Sequence, residues 1–203
     1  MSITPVLPGA QAWNEWYAEG THGDRIVSET EAETFLSHVA PTKGSRAVDL
    51  GCGGGGWSRR LAGWGSRVVG YDYSTVSVTQ ARNHPAVPDV TFELWDVNSE
   101  PIPRELTPGS VDLVTCRLSL AYMDVNRLLV DVGRWLAPWG VFYALTPVVH
   151  DDEVQNDPYH HALTFDEFEG LGTAWGSRTS WKVGKKHFGI ALSGFTRLGR
   201  SKY

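Results

Sequence analysis

The chain has 203 residues, of which 41% are hydrophobic and 20% are charged. This composition predicts a single globular domain with a hydrophobic core and excludes a disordered chain. A formal net charge of −5 provides no basic surface, so nucleic acid is not expected as a partner.

The N-terminal segment predicts helices. Trp13, Trp16 and Tyr17 would share one face of a first helix. Ser28 and Glu31 have the spacing of a capping box, in which each side chain bonds the backbone N–H of the other residue. This pair predicts the start of a second helix.

From residue 46 onward, strands and helices alternate. Five short strands are predicted at residues 46–50, 67–72, 90–95, 111–116 and 141–145. Helices are predicted after the first, second and fourth strands, whereas the proline-rich segment 101–110 looks too short for a helix. This alternation predicts a doubly wound, mostly parallel sheet with helices on both faces.

The C-terminal part predicts a different pairing. A short helix would begin with a capping box at Thr164 and Glu167. Two further strands, at residues 178–183 and 188–195, are joined around Gly184 and can only form an antiparallel hairpin. The chain is therefore expected to form one α/β domain with a seven-stranded sheet, parallel except for this hairpin.

The segment VDLGCGGGG, residues 48–56, is the most informative stretch of the sequence. Glycines at the end of a strand let the chain turn sharply and bring bare backbone close to a ligand. Gly51, Gly53 and Gly56 satisfy the GxGxxG pattern of dinucleotide sites, and Asp72 follows about 20 residues later, as such a site requires. A nicotinamide site is therefore one hypothesis.

Three features argue against that hypothesis. Asp49, two residues before the first glycine, would repel a pyrophosphate but attract an ammonium group. The chain leaves no room for a separate dehydrogenase substrate domain. The terminal hairpin is not part of the dinucleotide fold.

From about Trp13 to Phe195 the chain resembles the class I S-adenosylmethionine-dependent methyltransferases. The motif acid-x-Gly-x-Gly-x-Gly of that family is matched at residues 49–55, and acids follow strands two and three as in the family. The segment RWLAPWGVFYALTP, residues 134–147, is similar to the family's RxLxPGG turn, with Trp139 where glycine is usual.

The resemblance implies a Rossmann-like fold over residues 1–203 and S-adenosyl-L-methionine as the cofactor. The glycine loop would pass under the methionine part, Asp72 would accept from the ribose hydroxyls, and Tyr73 would pack on adenine. Asp96 would receive the adenine amino group, and the Val97 amide would meet the ring. The cofactor-binding candidates are Trp16, Tyr17, Asp49, Gly51, Cys52, Gly53, Gly55, Asp72, Tyr73, Asp96, Val97 and Arg117.

An N-terminal helix often covers the cofactor and the substrate in this family. Residues 1–45 are accordingly expected to form a helical lid over a core at residues 46–203. The faces of Trp16 and Tyr17 could hold the sulfonium or an amine substrate by cation–π attraction. Alternatively, these aromatic side chains only pack the helix onto the sheet.

The catalytic candidates follow from the chemistry of methyl transfer. A sulfonium is a good leaving group, so a general base is needed only if the acceptor arrives protonated. His150, or the pair His160 and His161, could deprotonate a hydroxyl, or these histidines could be ordinary polar loop residues. Arg117 could anchor a substrate carboxylate or brace its loop.

No metal is expected, because magnesium-dependent members of the family carry carboxylates at the ends of strands four and five, where this chain has Cys116 and Thr146. Cys52 and Cys116 show neither a disulfide framework nor zinc-ligand spacing. No apolar run could cross a membrane and no signal peptide is visible, so we expect a cytoplasmic protein.

The sequence therefore predicts methyl transfer to an oxygen or nitrogen of a small metabolite, such as a natural product, by a monomer or homodimer. Two alternatives remain open. The chain could bind S-adenosyl-L-methionine without transferring its methyl group, for instance as a regulator, or it could methylate a peptide or protein.

Overall fold

The computed structural model describes residues 7–20, 26–153 and 155–195. The six helices of these ranges are α1 (Ala10–Ala18), α2 (Glu29–His38), α3 (Gly56–Gly63), α4 (Thr75–Asn83), α5 (Val125–Trp135) and α6 (Phe165–Gly170), with a 3₁₀ turn at Leu120–Tyr122. The strands are β1 (Arg46–Leu50), β2 (Arg67–Asp72), β3 (Val90–Leu94), β4 (Val111–Arg117), β5 (Leu136–Val149), β6 (Leu163–Thr164), β7 (Trp175–Val183) and β8 (His187–Phe195).

The strands form one sheet in the order β3-β2-β1-β4-β5-β8-β7, in which β1 to β5 pair parallel with one another. β8 pairs antiparallel with both β5 and β7. The prediction of a mostly parallel α/β sheet with an antiparallel C-terminal hairpin is therefore confirmed. No helix forms in the described segment 101–110, as expected.

The sheet has eight strands rather than the predicted seven. The additional strand, β6, has only two residues and pairs parallel with Val148 and Val149 at the end of β5. The prediction was wrong because β5 continues through Pro147 beyond its pairing with β8, and this extension gives β6 a partner. A two-residue strand leaves no periodic pattern in the sequence.

The core fills both faces of the sheet, because alternate residues of a strand point to opposite sides. On one face, Phe35 of α2 and Trp57 of α3 pack against Leu113 and Tyr143. The larger cluster on the other face includes Val114 and Phe142 together with the apolar stripe of α5. The carboxyl ends of the parallel strands are thereby held at one edge of a rigid three-layer core. No helix of the described ranges is long and apolar enough to cross a membrane.

The start of α2 differs in part from the predicted capping box. Ser28 Oγ accepts from the backbone N–H of Glu31, as expected. The Glu31 carboxylate does not return to Ser28, however, and instead accepts two hydrogen bonds from the Arg117 guanidinium at the end of β4. Glu31 is only 5% exposed, and a guanidinium within reach is a stronger partner than a backbone amide. The capping box at Thr164 and Glu167 forms completely.

Removing the Glu31 carboxylate should destabilise the fold strongly. In Glu31→Ala the Arg117 guanidinium stays largely buried without its carboxylate, which should cost about 3–5 kcal/mol of unfolding free energy. Glu29→Ala is the matched control on the same helix, because Glu29 pairs with Arg60 at the surface and should contribute less than about 1 kcal/mol. Urea unfolding measures both values, and equal losses would contradict the assignment.

Candidate active site

A cavity of about 500 Å³ opens at the carboxyl ends of β1, β2 and β4. The order of the strands reverses between β1 and β4, and doubly wound sheets bind their ligands at this point. α1 and the segment 155–162 complete the cavity wall. The volume falls within the range of small-molecule sites, roughly 300–1,000 Å³.

The glycine loop presents bare backbone to this cavity. Gly51 and Gly53 have φ values of +65° and +54°, which favour glycine. A Cβ at Gly51 would collide with the Ser119 side chain, and one at Gly53 would lie 2.7 Å from the Tyr17 hydroxyl. Gly55 lies outside the cavity wall, where it is the N-cap of α3. The loop can therefore take a ligand directly against its main chain at 51–54.

Asp72, at the end of β2, connects this loop to the sheet. Its carboxylate accepts from the Gly53 N–H at 2.9 Å and, through its other oxygen, from the Ser74 N–H at 2.9 Å. The side chain is buried; burial raises its pKa, while these amides lower it. Each carboxylate oxygen can accept another hydrogen bond, so Asp72 fits a vicinal diol in the cavity that it lines.

Asp49 lies in the cavity wall and is only 1% exposed. Ser58 Oγ donates to one of its oxygens at 2.6 Å, and Thr115 Oγ1 donates to the other at 2.8 Å. Burial raises the pKa of Asp49 to about 6, although the two hydroxyls and the Arg117 charge lower it. The carboxylate is therefore mainly ionised at neutral pH and can attract a cationic group. The sequence indicated Asp49 but not the two hydroxyls that hold it.

Asp96 organises a tight turn at the edge of the cavity. Its carboxylate accepts from the Asn98 N–H at 2.9 Å and from Ser99 Oγ at 2.7 Å. Asp96 and Val97 both line the cavity, as does Tyr73, whose hydroxyl donates to the Pro8 carbonyl. The acids that follow β2 and β3 are thus brought to one cavity together with the glycine loop.

α1 forms part of the cavity wall. It buries none of its own residues, yet Trp13, Trp16 and Tyr17 all line the cavity. Asn14 Oδ1 accepts from Ser74 Oγ at 2.7 Å, and Gln80 Nε2 donates to the Tyr17 carbonyl at 3.1 Å. The helix is therefore fastened to α4 by polar contacts that the sequence did not indicate.

An aromatic cluster joins three segments across the cavity. The Trp13 ring meets the rings of Trp16, Tyr122 and Tyr159 edge to face, with centroid distances of 5.3, 5.3 and 5.2 Å. These residues belong to α1, to the 3₁₀ turn after β4 and to the segment 155–162. Tyr159 was not among the sequence candidates, since no local pattern relates it to α1.

The three candidate histidines occupy different environments. His150 is exposed and does not line the cavity, whereas His160 and His161 do. His160 Nδ1 lies 2.7 Å from the Asp157 carboxylate at the surface. His161 Nδ1 is buried and has no hydrogen-bond partner among the described residues. Burial lowers the pKa of His161, which leaves its ring neutral at pH 7 and able to accept a proton.

The remaining candidates also lie at the cavity. Cys52 is buried in the glycine loop, and Arg117 lines the wall while it pairs with Glu31. This pairing favours the bracing role of Arg117 over the anchoring of a substrate. His187 of β8 also lines the cavity. The described residues contain no group of three or more histidine, cysteine or acidic side chains that could hold a metal ion.

Comparison with known proteins places the site in a family context. Residues 47–140 match the model of a family described as a methyltransferase domain. The ubiquinone biosynthesis O-methyltransferase of Burkholderia ambifaria (strain MC40-6) is 39% identical over 107 residues, which are 49% of this chain and 44% of that protein. Its counterpart in Paracidovorax citrulli is 32% identical over 115 residues, 54% of this chain and 47% of that protein. This chain thus spans less than half the length of these relatives.

Solved structures are similar over a longer part of the chain. An S-adenosylmethionine-dependent methyltransferase from Mesorhizobium loti is 32% identical with a TM-score of 0.52, covering 58% of this chain and 54% of that one. The phosphoethanolamine N-methyltransferase 2 of Haemonchus contortus, solved with S-adenosyl-L-methionine, has a TM-score of 0.68 at 18% identity, covering 86% and 55%. The second likeness concerns the fold alone.

Burial of Asp49 should make stability depend on pH in a predictable direction. The unfolded carboxyl ionises near 3.8, whereas the folded one keeps its proton up to about 6. The folded state therefore binds more protons in this window, and its stability falls as pH rises. Between pH 4 and 7 the wild type should lose about 3 kcal/mol relative to Asp49→Asn, which cannot titrate. Urea unfolding of both proteins checks this, and parallel pH profiles would refute it.

Proposed function

We propose that this chain is a class I S-adenosylmethionine-dependent methyltransferase that transfers a methyl group to a hydroxyl oxygen of a small molecule. One observation carries the proposal. The bare loop at 51–54, the Asp72 carboxylate and the His161 side chain line the same cavity, and the neutral His161 ring keeps a nitrogen, Nδ1, without a hydrogen-bond partner among the described residues.

The cofactor side of the cavity fits S-adenosyl-L-methionine. The main chain at 51–54 would receive the methionine part, with the Asp49 charge nearby for its ammonium group. Asp72 would accept from the ribose hydroxyls, and the turn at Asp96 and Val97 would meet the adenine. When bound, this cofactor supplies a methyl group on a sulfonium, which is electrophilic without further activation.

The chain contributes position and exclusion of water. α1 and the rings of Trp13, Tyr122 and Tyr159 line the cavity and would limit the access of water to a bound acceptor, which favours its in-line approach. Trp16 and Tyr17 present electron-rich rings that can stabilise a positive charge by about 0.5–2 kcal/mol.

His161 would take the proton of the acceptor. In the tautomer that carries its proton on Nε2, Nδ1 would accept a hydrogen bond from the hydroxyl and then its proton, which prepares the acceptor oxygen for the transfer. An acceptor oxygen also agrees with the relatives named O-methyltransferases. His160 suits this role less well, because its Nδ1 already faces Asp157 at the surface.

The aromatic side chains of α1 support a second candidate function, the methylation of an amine. Ammonium groups bind to aromatic faces, and Trp13, Trp16 and Tyr17 line the cavity together. Incubation with labelled S-adenosyl-L-methionine and a panel of phenols, aliphatic alcohols and amines separates the two. Transfer to phenols or alcohols alone supports oxygen, transfer to amines alone supports the second candidate, and binding without any transfer would refute both.

Cofactor binding should depend on Asp72. Asp72→Asn replaces one carboxylate oxygen by an NH₂ group, which cannot accept from a ribose hydroxyl, so the affinity for S-adenosylhomocysteine should fall about 10- to 100-fold. Asp112→Asn is the control, because that carboxylate accepts from the Arg46 N–H and Trp139 Nε1 away from the cavity. Isothermal titration calorimetry measures both affinities, and an unchanged value in Asp72→Asn would remove Asp72 from the site.

Catalysis should depend on His161 but not on His150. Without a proton acceptor, His161→Gln should lower kcat about 10²- to 10⁴-fold. In the wild type the rate should rise with pH as His161 loses its proton and should level off by neutral pH, since burial lowers its pKa. The variant should lack this rise. His150→Gln, changed outside the cavity, should keep the wild-type profile; a wild-type rate in His161→Gln would rule out the assigned role.

A further inference from the structure

We infer that Asn98 is a positioning residue that links the adenine side of the cavity to the placement of His161, an inference that rests on the proposed function. Asn98 lies in the turn after β3, and its backbone N–H donates to the Asp96 carboxylate at 2.9 Å. A ligand that contacts the Asp96 carboxylate would therefore act directly on the main chain of Asn98.

The Asn98 side chain reaches from this turn to the segment after β4. Its Nδ2 donates to the Tyr122 carbonyl at 3.0 Å, and its Oδ1 accepts from the Asp124 N–H at 2.9 Å. Both ends of the amide are thus used, which determines its orientation. This side chain therefore bonds the turn after β3 to both the 3₁₀ turn and the N-cap of α5.

Tyr122 extends the link to His161. The Tyr122 hydroxyl accepts from the His161 backbone N–H at 2.9 Å, and the two ring centroids are 6.2 Å apart. A displacement of Tyr122 therefore moves the backbone that carries the imidazole. Because the reacting atoms must be aligned closely, a shift of about 1 Å can reduce a rate on the order of 100-fold.

Arg127 holds the main chain of the turn after β3, so the effect of the Asn98 side chain can be tested separately from that of the turn. Its guanidinium donates to the carbonyl of Asn98 at 2.7 Å and to the carbonyl of Val97 at 3.1 Å. Both contacts involve the main chain, so they persist when the Asn98 side chain is changed. Loss of that side chain should leave the adenine side in place while it releases Tyr122.

Two variants divide the effect. Asn98→Ala removes both side-chain hydrogen bonds. Asn98→Asp keeps an oxygen for the Asp124 N–H but has no donor for the Tyr122 carbonyl, and its charge is favourable at the N-terminus of α5. Asn126→Ala, an exposed position on α5 outside the cavity, is the matched control. If Asn98→Ala proves unstable in thermal melts, Asn98→Asp carries the test.

The first measurement is NMR of ring-labelled histidine with S-adenosylhomocysteine as the probe. Saturating probe should shift the His161 resonance, assigned by its loss in His161→Gln, in the wild type and in Asn126→Ala. Both Asn98 variants should bind the probe within about threefold of the wild-type affinity but show a reduced shift, because the contribution that passes through the donor to Tyr122 is lost while the direct effect of the probe in the same cavity remains. A full shift in both would overturn the inference.

The second measurement uses the acceptor that the panel identifies. Both Asn98 variants should lower kcat about 10- to 100-fold with the cofactor KM nearly unchanged. Tyr122→Phe combined with Asn98→Ala should be no worse than the more impaired single variant, and additive losses would overturn the inference. Failure of the wild type to bind S-adenosylhomocysteine would refute the proposed function and this inference together, whereas normal binding with additive losses refutes the inference alone.

Discussion

The carboxylate of Asp72 is the contact on which the rest of the site depends. It receives one backbone amide from the glycine loop and another from the start of α4, so it fixes the position of both. Ser74, which supplies the second amide, also donates its hydroxyl to Asn14 of α1. One buried group thereby joins the loop below the cavity to the helix above it. Burial raises the pKa of this carboxyl, and hydrogen bonds from backbone amides and from the Ser77 side chain offset part of that cost.

Much of the fold could be predicted from the sequence. A strand that is buried on both faces gives a short continuous apolar run, whereas a helix with one apolar stripe repeats its apolar residues at helical spacing. The glycine loop was equally visible, since few other residues permit such a turn. β6 was not predicted, because it pairs only with the end of β5 that extends beyond the pairing of β5 with β8. The spacing of Glu31 from Ser28 predicted the cap of α2. The burial of Glu31 beside Arg117 was not predicted, because it depends on the packing of α2 against the sheet.

The site could be predicted where a residue follows a strand and not where it works through a distant partner. Asp49 and Asp72 lie near the ends of β1 and β2, Asp96 follows β3, and the resemblance to the methyltransferases indicated the roles of Asp72 and Asp96. Asn14 and Asn98 make their contacts across more than 20 positions of the chain and belong to no periodic pattern. The histidines show the same limit, because His160 and His161 are neighbours in sequence but only one has a buried ring nitrogen without a partner among the described residues. Burial, and not residue type, distinguishes them.

The match to methyltransferase domains covers residues 47–140. It contains the glycine loop, Asp72 and Asp96, but it contains neither α1 nor the segment 155–162, which also line the cavity. The two halves of the cavity therefore have separate origins in the chain. In the proposed arrangement, the half assigned to the donor lies at the ends of the strands, whereas the half assigned to the acceptor consists of short segments at the rim of the cavity. Selection can exchange such rim segments without disturbing the sheet, which gives this architecture a route to new acceptors at little cost to its stability.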